Sequence, residues 1–135
     1  MSTLPPGLPV PTSLRAAAQT AAQAREPLVV MVTLKGCAFC EVVRNNYLAP
    51  MHRRGELQVV QIDMLDRKSH LQSLQGASTT PYDQARDWKV TMTPTLLFFN
   101  LQGQEVAERL EGVGVADFYG AYLDQRLQVA RSKTQ

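Results

Sequence analysis

Two cysteines, Cys37 and Cys40, are the residues of this chain best placed to do chemistry, and they are separated by only two residues. An apolar, β-branched run from Val29 to Leu34 precedes them, and apolar side chains at helical spacing follow them. The pair is therefore predicted where a buried strand gives way to a helix. Unpaired N–H groups and the positive end of the helix dipole favour a thiolate there, which lowers the cysteine pKa from its ordinary value of about 8.5.

The two cysteines are predicted to have different roles. Cys37, at the helix N-terminus, gains most from the dipole and is expected to be the exposed nucleophile. Cys40 lies one turn deeper, can reach the sulfur of Cys37 and is expected to be the largely buried resolving thiol. This orientation assumes that Val42, Val43 and Tyr47 face the core. The pair would then exchange two electrons as a dithiol/disulfide couple.

Metal binding is the alternative chemistry for two neighbouring thiolates. A structural zinc site usually has four Cys or His ligands, and the remaining candidates, His52 and His70, are not in a paired ligand spacing. Both histidines are predicted to lie on the surface. No cofactor is predicted, and a module that holds a metal through Cys37 and Cys40 stays open as an alternative.

Composition indicates one globular domain. The 135 residues are 44% hydrophobic and 19% charged, with a net charge of +2, which suffices for a real core. The charges are scattered, so no nucleic-acid partner is predicted, and no apolar run has the length of a membrane span. Residues 1–7 lack the basic start and apolar core of a signal peptide.

The order of predicted elements begins with a flexible, proline-rich lead-in over residues 1–11. A single domain over residues 12–130 follows, and residues 131–135 form a frayed tail. Within the domain, Thr12 or Ser13 caps a first helix that Pro27 stops, strands at about 28–34 and 57–64 are parallel, and residues 66–79 are irregular.

The second half of the domain is predicted to begin with a short helix from Thr80-Pro81 to about Trp88, which packs on the sheet. A hairpin runs from Pro94 to Leu110 with its turn at Gly103. The last helix spans about 115–129, and the residues predicted on its buried side are Phe118, Ala121, Tyr122, Leu123 and Leu127.

This order of elements, with the Cys37/Cys40 pair, the Thr93-Pro94 dipeptide and Gly103, resembles the thioredoxin superfamily over about residues 13–128. The resemblance implies an α/β thioredoxin fold, a central mixed β-sheet flanked by helices, with an extra N-terminal helix. It also implies that Pro94 is a cis-proline facing the redox pair. Thr93 would present backbone groups that pair with an extended substrate strand.

The Gly36-Cys37-Ala38-Phe39-Cys40 motif and the strand that begins at Thr93-Pro94-Thr95 are most similar to the exported, Sox-type thioredoxins. That likeness favours a periplasmic location, with a cytoplasmic one as the alternative. The chain departs from ordinary thioredoxins in having Met31 where they carry a buried aspartate and Gln61 near the position of their lysine. The sequence leaves open whether Glu41, Asp63 or water takes the proton of the resolving cysteine.

The predicted function is a thiol–disulfide oxidoreductase, acting as a reductant of protein disulfides. Its partners would be disulfide-containing protein substrates and an upstream thiol donor, and the protein would act as a monomer. A glutathione-dependent, glutaredoxin-like enzyme is the second possibility. Two features disfavour it: the two cysteines have no Pro-Tyr dipeptide between them, and the chain has an N-terminal helix. With no histidine between Cys37 and Cys40, a strongly oxidising potential is also disfavoured.

Overall fold

The computed structural model describes residues 4–5, 7–114 and 116–134. The helices are α1 (Leu14–Gln23), α2 (Ala38–Val43), α3 (Ala49–Arg53), α4 (Pro81–Asp87) and α5 (Tyr119–Ser132), with a π-helical turn at Arg44–Leu48 and a 3₁₀ turn at Ala116–Phe118. The strands are β1 (Leu28–Thr33), β2 (Gln58–Asp63), β3 (Leu71–Gln72), β4 (Ser78–Thr79), β5 (Thr95–Phe99) and β6 (Leu110–Glu111). No helix in these described ranges is both long and apolar enough to cross a bilayer.

A mixed four-stranded sheet in the order β2-β1-β5-β6 forms the centre of the fold. The β1 and β2 strands are parallel, whereas β5 is antiparallel to both β1 and β6. The predicted fold, a central mixed sheet flanked by helices with an N-terminal helix, is confirmed. All six residues of β1 are buried, which explains why this strand is a continuous apolar run rather than an alternating one.

Helices cover both faces of the sheet. The face that we call the redox face is covered by α2, α3 and α5, and its core includes Met31, Cys40 and Phe98. The face that we call the α1–α4 face carries the side chains of Val30 and Phe99. The Ser13 hydroxyl caps α1 by accepting from the Ala16 N–H, as the sequence predicts.

The helix after the redox pair continues past Pro50 through a π-helical turn. The Ala49 N–H donates to the Arg44 carbonyl five residues back, and Pro50 then occupies the first turn of α3, where a missing N–H costs little. Gly55, at a φ of 73°, ends the segment.

Several predicted buried faces are wrong. In the redox helix, Val43 is buried and Tyr47 is half-buried, but Val42 is exposed. In the last helix Leu123 and Leu127 are buried as predicted, whereas Phe118, Ala121 and Tyr122 are exposed. The regular α-helix begins only at Tyr119, so the stripe facing the sheet is set by Tyr119, Leu123, Leu127 and Ala130. Predicted start residue 115 lies outside the described residues.

The described part of the N-terminal segment packs against the domain, and the boundary at residue 12 stays a prediction. Leu8 is 6% exposed and belongs to the core of the redox face, and the Gln61 N–H of β2 donates to the Pro9 carbonyl. At the other end, helix α5 includes Arg131, which pairs with Glu26. The flexibility of residues 1–11 stays a prediction, and residues 1–3, 6 and 135 lie outside the described residues.

The region predicted to be irregular, 66–79, contains a short antiparallel hairpin. Leu71 and Gln72 pair with Thr79 and Ser78, and the Gln72 N–H donates to the Thr12 carbonyl just before α1. Hydrogen bonds of this segment therefore connect the start of α1 with the region before α4. The sequence missed it because each strand has only two residues.

Candidate redox site

Cys37 and Cys40 lie where the sequence places them, between the end of β1 and the first turn of α2. Gly36, at a φ of 81°, makes the turn after the strand, a conformation that favours glycine. Cys37 is the N-cap residue of α2, and its Sγ forms a disulfide with Cys40 across a Cα–Cα distance of 5.2 Å. The two sulfur atoms are thus positioned for a reversible dithiol/disulfide couple.

The two cysteines differ in burial and in hydrogen bonding. Cys37 is half-buried, whereas Cys40 is 0% exposed. The Cys40 N–H donates to Cys37 Sγ at 3.2 Å, and the Thr93 hydroxyl donates to the same sulfur at 3.5 Å. Donors directed at a sulfur stabilise its anionic form, so the structure supplies Cys37 with the environment that a thiolate needs.

Thr93 and Pro94 are brought to the redox pair by the loop before β5. The Thr93–Pro94 peptide bond is cis, Thr93 is half-buried beside Cys37, and Pro94 is buried. The Gly112 N–H donates to the Pro94 carbonyl at 2.8 Å, which fixes this loop against the segment that follows β6. All four predicted site residues therefore lie in one place.

Exposed apolar side chains lie next to the pair. Phe39, between the two cysteines, is 60% exposed, and Met92, just before Thr93, is 46% exposed. Val42 follows Phe39 by three residues in the same helix and is also exposed. An apolar surface of this kind commonly contacts another macromolecule.

Met31 is fully buried, at the position where the resemblance implies a buried aspartate in ordinary thioredoxins. It is the register partner of Gln61 in the parallel pairing of β1 with β2. Of the two acids that could replace it, Glu41 is exposed in the first turn of α2 and Asp63 is half-buried at the end of β2. The Asp63 carboxylate accepts from the Leu65 N–H. Neither of these two carboxyl groups takes the position that Met31 occupies.

Arg44, Thr33 and Gln61 form a buried polar cluster that was not predicted from the sequence. Arg44 is 1% exposed; its Nε donates to Gln61 Oε1 at 3.0 Å and its Nη2 to Thr33 Oγ1 at 3.1 Å. Burial lowers the pKa of the Arg44 guanidinium, and the charge of Glu41 offsets part of that change. The available signal was periodicity, because Arg44 follows Cys40 by four residues on the buried side of the helix.

The remaining candidates lie away from the pair. His70 is exposed and its Nδ1 lies 3.3 Å from the Ser78 hydroxyl, whereas His52 is half-buried in α3. Trp88 packs on Phe99 with ring centroids 5.0 Å apart, as predicted for a core contact. The described residues contain no cluster of three or more His, Cys, Asp or Glu that could hold a metal ion.

Solved structures share this architecture at low sequence identity. A thioredoxin h from poplar matches with a TM-score of 0.58 and 16% identity over 89% of this chain and 96% of that one. Oxidised mitochondrial thioredoxin 3 from Saccharomyces cerevisiae matches with a TM-score of 0.56 and 16% identity over 90% and 93%. A thioredoxin-fold protein from Helicobacter pylori matches with a TM-score of 0.60 and 13% identity over 83% and 75%. At such identities the likeness concerns the fold.

No curated protein matches the chain. A family model described as a thioredoxin-like domain matches residues 14–126, which include the redox pair, the Thr93-Pro94 loop and most of α5. The chain therefore belongs to the thioredoxin-like domain family.

Proposed function

We propose that this protein is a thiol–disulfide oxidoreductase that reduces disulfide bonds in other proteins through Cys37 and Cys40. The observation that carries the proposal is the disulfide at the N-terminus of α2, in which Cys37 Sγ accepts from both the Cys40 N–H and the Thr93 hydroxyl. Those two donors favour a thiolate on Cys37 in the reduced protein. Family membership supports the same chemistry.

In the first step, the Cys37 thiolate attacks one sulfur of a substrate disulfide. The substrate S–S bond breaks, a Cys37–substrate disulfide forms, and the other substrate sulfur leaves as a thiolate. Cys40 then loses its proton to solvent and attacks Cys37 Sγ, which releases the second substrate thiolate and closes the Cys37–Cys40 disulfide. Two electrons pass from the protein to the substrate, and an upstream dithiol donor must return them.

Thr93 and Pro94 form the proposed substrate-binding edge. Thr93 lies beside Cys37 Sγ, so a polypeptide that pairs with its backbone would bring a disulfide to the nucleophile, a form of strand addition. The exposed side chains of Phe39, which lies between the two cysteines, and of Met92, which precedes Thr93, support a protein substrate. Their apolar surface suits a polypeptide better than a small, charged thiol.

The periplasm is the proposed compartment, and the support for it is the likeness of the Gly36-to-Cys40 motif to exported, Sox-type thioredoxins. Fractionation of cells of the native host tests this proposal independently of catalysis. Export predicts recovery in a periplasmic fraction from the native host. Recovery in the cytoplasmic fraction alone would refute it.

The mechanism is tested by trapping the mixed disulfide with insulin as the protein substrate. Cys40→Ser removes the resolving thiol and leaves Cys37 at the helix N-terminus. A disulfide-linked complex with insulin should therefore accumulate, and dithiothreitol should reduce it to the separate chains. Cys37→Ser is the matched control and should trap nothing. Equal trapping by both variants, or by neither, contradicts the proposal, whereas a metal-binding module predicts that both variants lose metal and neither traps insulin.

A further inference from the structure

Arg44 is the one charged side chain that the described part of the chain buries. Its two hydrogen-bond acceptors, Gln61 Oε1 and Thr33 Oγ1, are both neutral. None of the ion pairs found between described residues includes Arg44. A buried charge without a direct ion-pair partner is costly, and a leucine or methionine would fill the same position without that cost.

Two contacts of Arg44 relate it to the redox pair, one through its backbone and one through its guanidinium. The Arg44 N–H donates to the Cys40 carbonyl, so the two residues occupy successive turns on one side of the helix. Helical side chains lean toward the N-terminus and cover the preceding turn, which here is the turn that contains Cys40. Thr33, which accepts from Nη2, is the last residue of β1 and precedes Cys37 by four residues.

The two sulfur atoms differ in the hydrogen-bond donors that reach them. Among described residues, both donors to the pair reach Cys37 Sγ. Cys40 is fully buried in an apolar cluster with Met31 and Val43. Such burial raises the pKa of a thiol, and a nearby cation lowers it. Arg44 is placed to supply that cation.

The other charged side chains near the pair are exposed or half-buried, and a buried phenol nearby is neutral. Lys35 and Glu41 are exposed, and Asp63 is half-buried. Neither β1 nor the described residues before Thr12 contain an ionisable side chain. Tyr119 shares the core cluster of Cys40, and burial, followed by the neighbouring Tyr47, raises the pKa of its phenol, so it is uncharged at neutral pH.

We propose that Arg44 is a positioning residue whose buried charge stabilises the Cys40 thiolate and thereby raises the reduction potential of the Cys37–Cys40 couple. This inference rests on the proposed thiol–disulfide function. A stabilised thiolate favours the dithiol over the disulfide, which makes the couple more oxidising. A larger thiolate fraction on Cys40 also speeds its attack on Cys37 Sγ in the mixed disulfide. That attack needs no further oxidant, because the substrate sulfur takes the electron pair of the broken S–S bond.

The test is the redox equilibrium with glutathione at pH 7 for the wild type, Arg44→Met and Arg44→Lys, with folding checked by circular dichroism. We expect Arg44→Met to shift the equilibrium about tenfold toward the protein disulfide, or about 30 mV. Arg44→Lys keeps the charge and should stay within about threefold of wild type, or about 14 mV. Arg53→Met, which removes a charge from an exposed position in α3, should have no measurable effect.

Two results would overturn the inference: a folded Arg44→Met whose equilibrium matches the wild type, or an Arg44→Lys shift as large as that of Arg44→Met. The second would show that Arg44 acts through packing alone. If Arg44→Met does not fold, the pKa of Cys40 in Cys37→Ser decides the matter by ¹³Cβ NMR titration. A pKa below about 7 despite full burial supports the inference, because only then is the thiolate the main form at the pH of the equilibrium, and a value at or above about 7 refutes it.

A different result would refute the proposed function. If wild-type protein equilibrates with glutathione but never reduces a protein disulfide, the enzymatic role is wrong. The effect of Arg44 on the couple would still be measured, because that equilibrium needs only the two cysteines.

Discussion

On the α1–α4 face, buried polar groups bond to neighbours in the chain: the Thr95 hydroxyl donates to the Met92 carbonyl three residues away, and Ser73 accepts from the Ala77 N–H four residues away. On the redox face, Arg44 bonds to Thr33 and Gln61, which are 11 and 17 residues away. Gln61 in turn donates to the Pro5 and Leu8 carbonyls, more than fifty residues away. The buried hydroxyls of Thr95 and Ser73 therefore complete local turns, whereas the buried cluster of Arg44 connects the redox helix, two strands and the N-terminal segment.

This difference indicates which face tolerates substitution. The Thr95 hydroxyl can be removed at the cost of one hydrogen bond, because the Met92 carbonyl that accepts from it belongs to an exposed residue and can bind water instead. Removing one member of the long-range cluster leaves a buried charge or buried carbonyl groups without partners, and that penalty is larger. The stability of the redox face should therefore depend on a few polar side chains.

Gln61→Leu is expected to have the largest effect on stability. It removes the acceptor of Arg44 Nε and the donor to the Pro5 and Leu8 carbonyls, and the free energy of unfolding should fall by about 3 kcal/mol. The matched control, Thr95→Val, removes one buried local hydroxyl and should cost about 1 kcal/mol. Urea unfolding of both variants measures the difference. Equal losses would remove the distinction between the two faces.

Leu8→Ala tests whether the N-terminal segment is part of the core of the redox face. Leu8 is 6% exposed in that core, so its truncation should cost about 2 kcal/mol. Leu101→Ala, at a position that is 47% exposed, is the control and should change stability by less than about 0.5 kcal/mol. A Leu8→Ala variant as stable as the wild type would show that the segment does not contribute to folding.

Tyr119→Phe should have the smallest effect at neutral pH, and it should be stabilising. The Tyr119 hydroxyl is buried and has no hydrogen-bond partner among the described residues, so its removal should add about 1 kcal/mol at pH 7. Destabilisation by Tyr119→Phe at pH 7 would mean that the hydroxyl has a partner in solution.

The same substitution predicts a pH dependence. Burial, followed by the neighbouring Tyr47, raises the pKa of Tyr119 in the folded protein, while the unfolded phenol titrates near its ordinary value of about 10. Above about pH 10 the folded state keeps a proton that the unfolded state has lost, so wild-type stability must fall as pH rises. Tyr119→Phe should lose stability less steeply in urea unfolding between about pH 9 and 11. Parallel slopes would contradict the raised pKa.

The features that were predictable from sequence are those with local causes. The apolar run of β1, the Ser13 cap, the Thr80-Pro81 start of α4 and the placement of Cys37 and Cys40 each depend on residues within a few positions of one another. Thr93 and Pro94 could be assigned to the site only through the family resemblance, because Thr93 lies 56 residues from Cys37 in sequence and Pro94 follows it.

The features that the sequence did not reveal have non-local causes. The buried side of α5 depends on where the helix begins, and the 3₁₀ turn at Ala116–Phe118 delays that start. The burial of Arg44 depends on Gln61, on Thr33 and on the N-terminal segment that Gln61 binds. Taken alone, an arginine after Val42 and Val43 is typical of a solvated helix position, and only the assembled sheet provides its acceptors.

The central claim, that Cys37 and Cys40 transfer two electrons to a protein disulfide, is tested most directly by stoichiometry. Fully reduced protein is mixed with excess insulin, quenched with acid at successive times and alkylated, and the mass of each chain is measured. The account predicts that one Cys37–Cys40 disulfide forms for each insulin disulfide that is lost. It is contradicted if insulin stays oxidised, or if insulin thiols appear while Cys37 and Cys40 both remain alkylated.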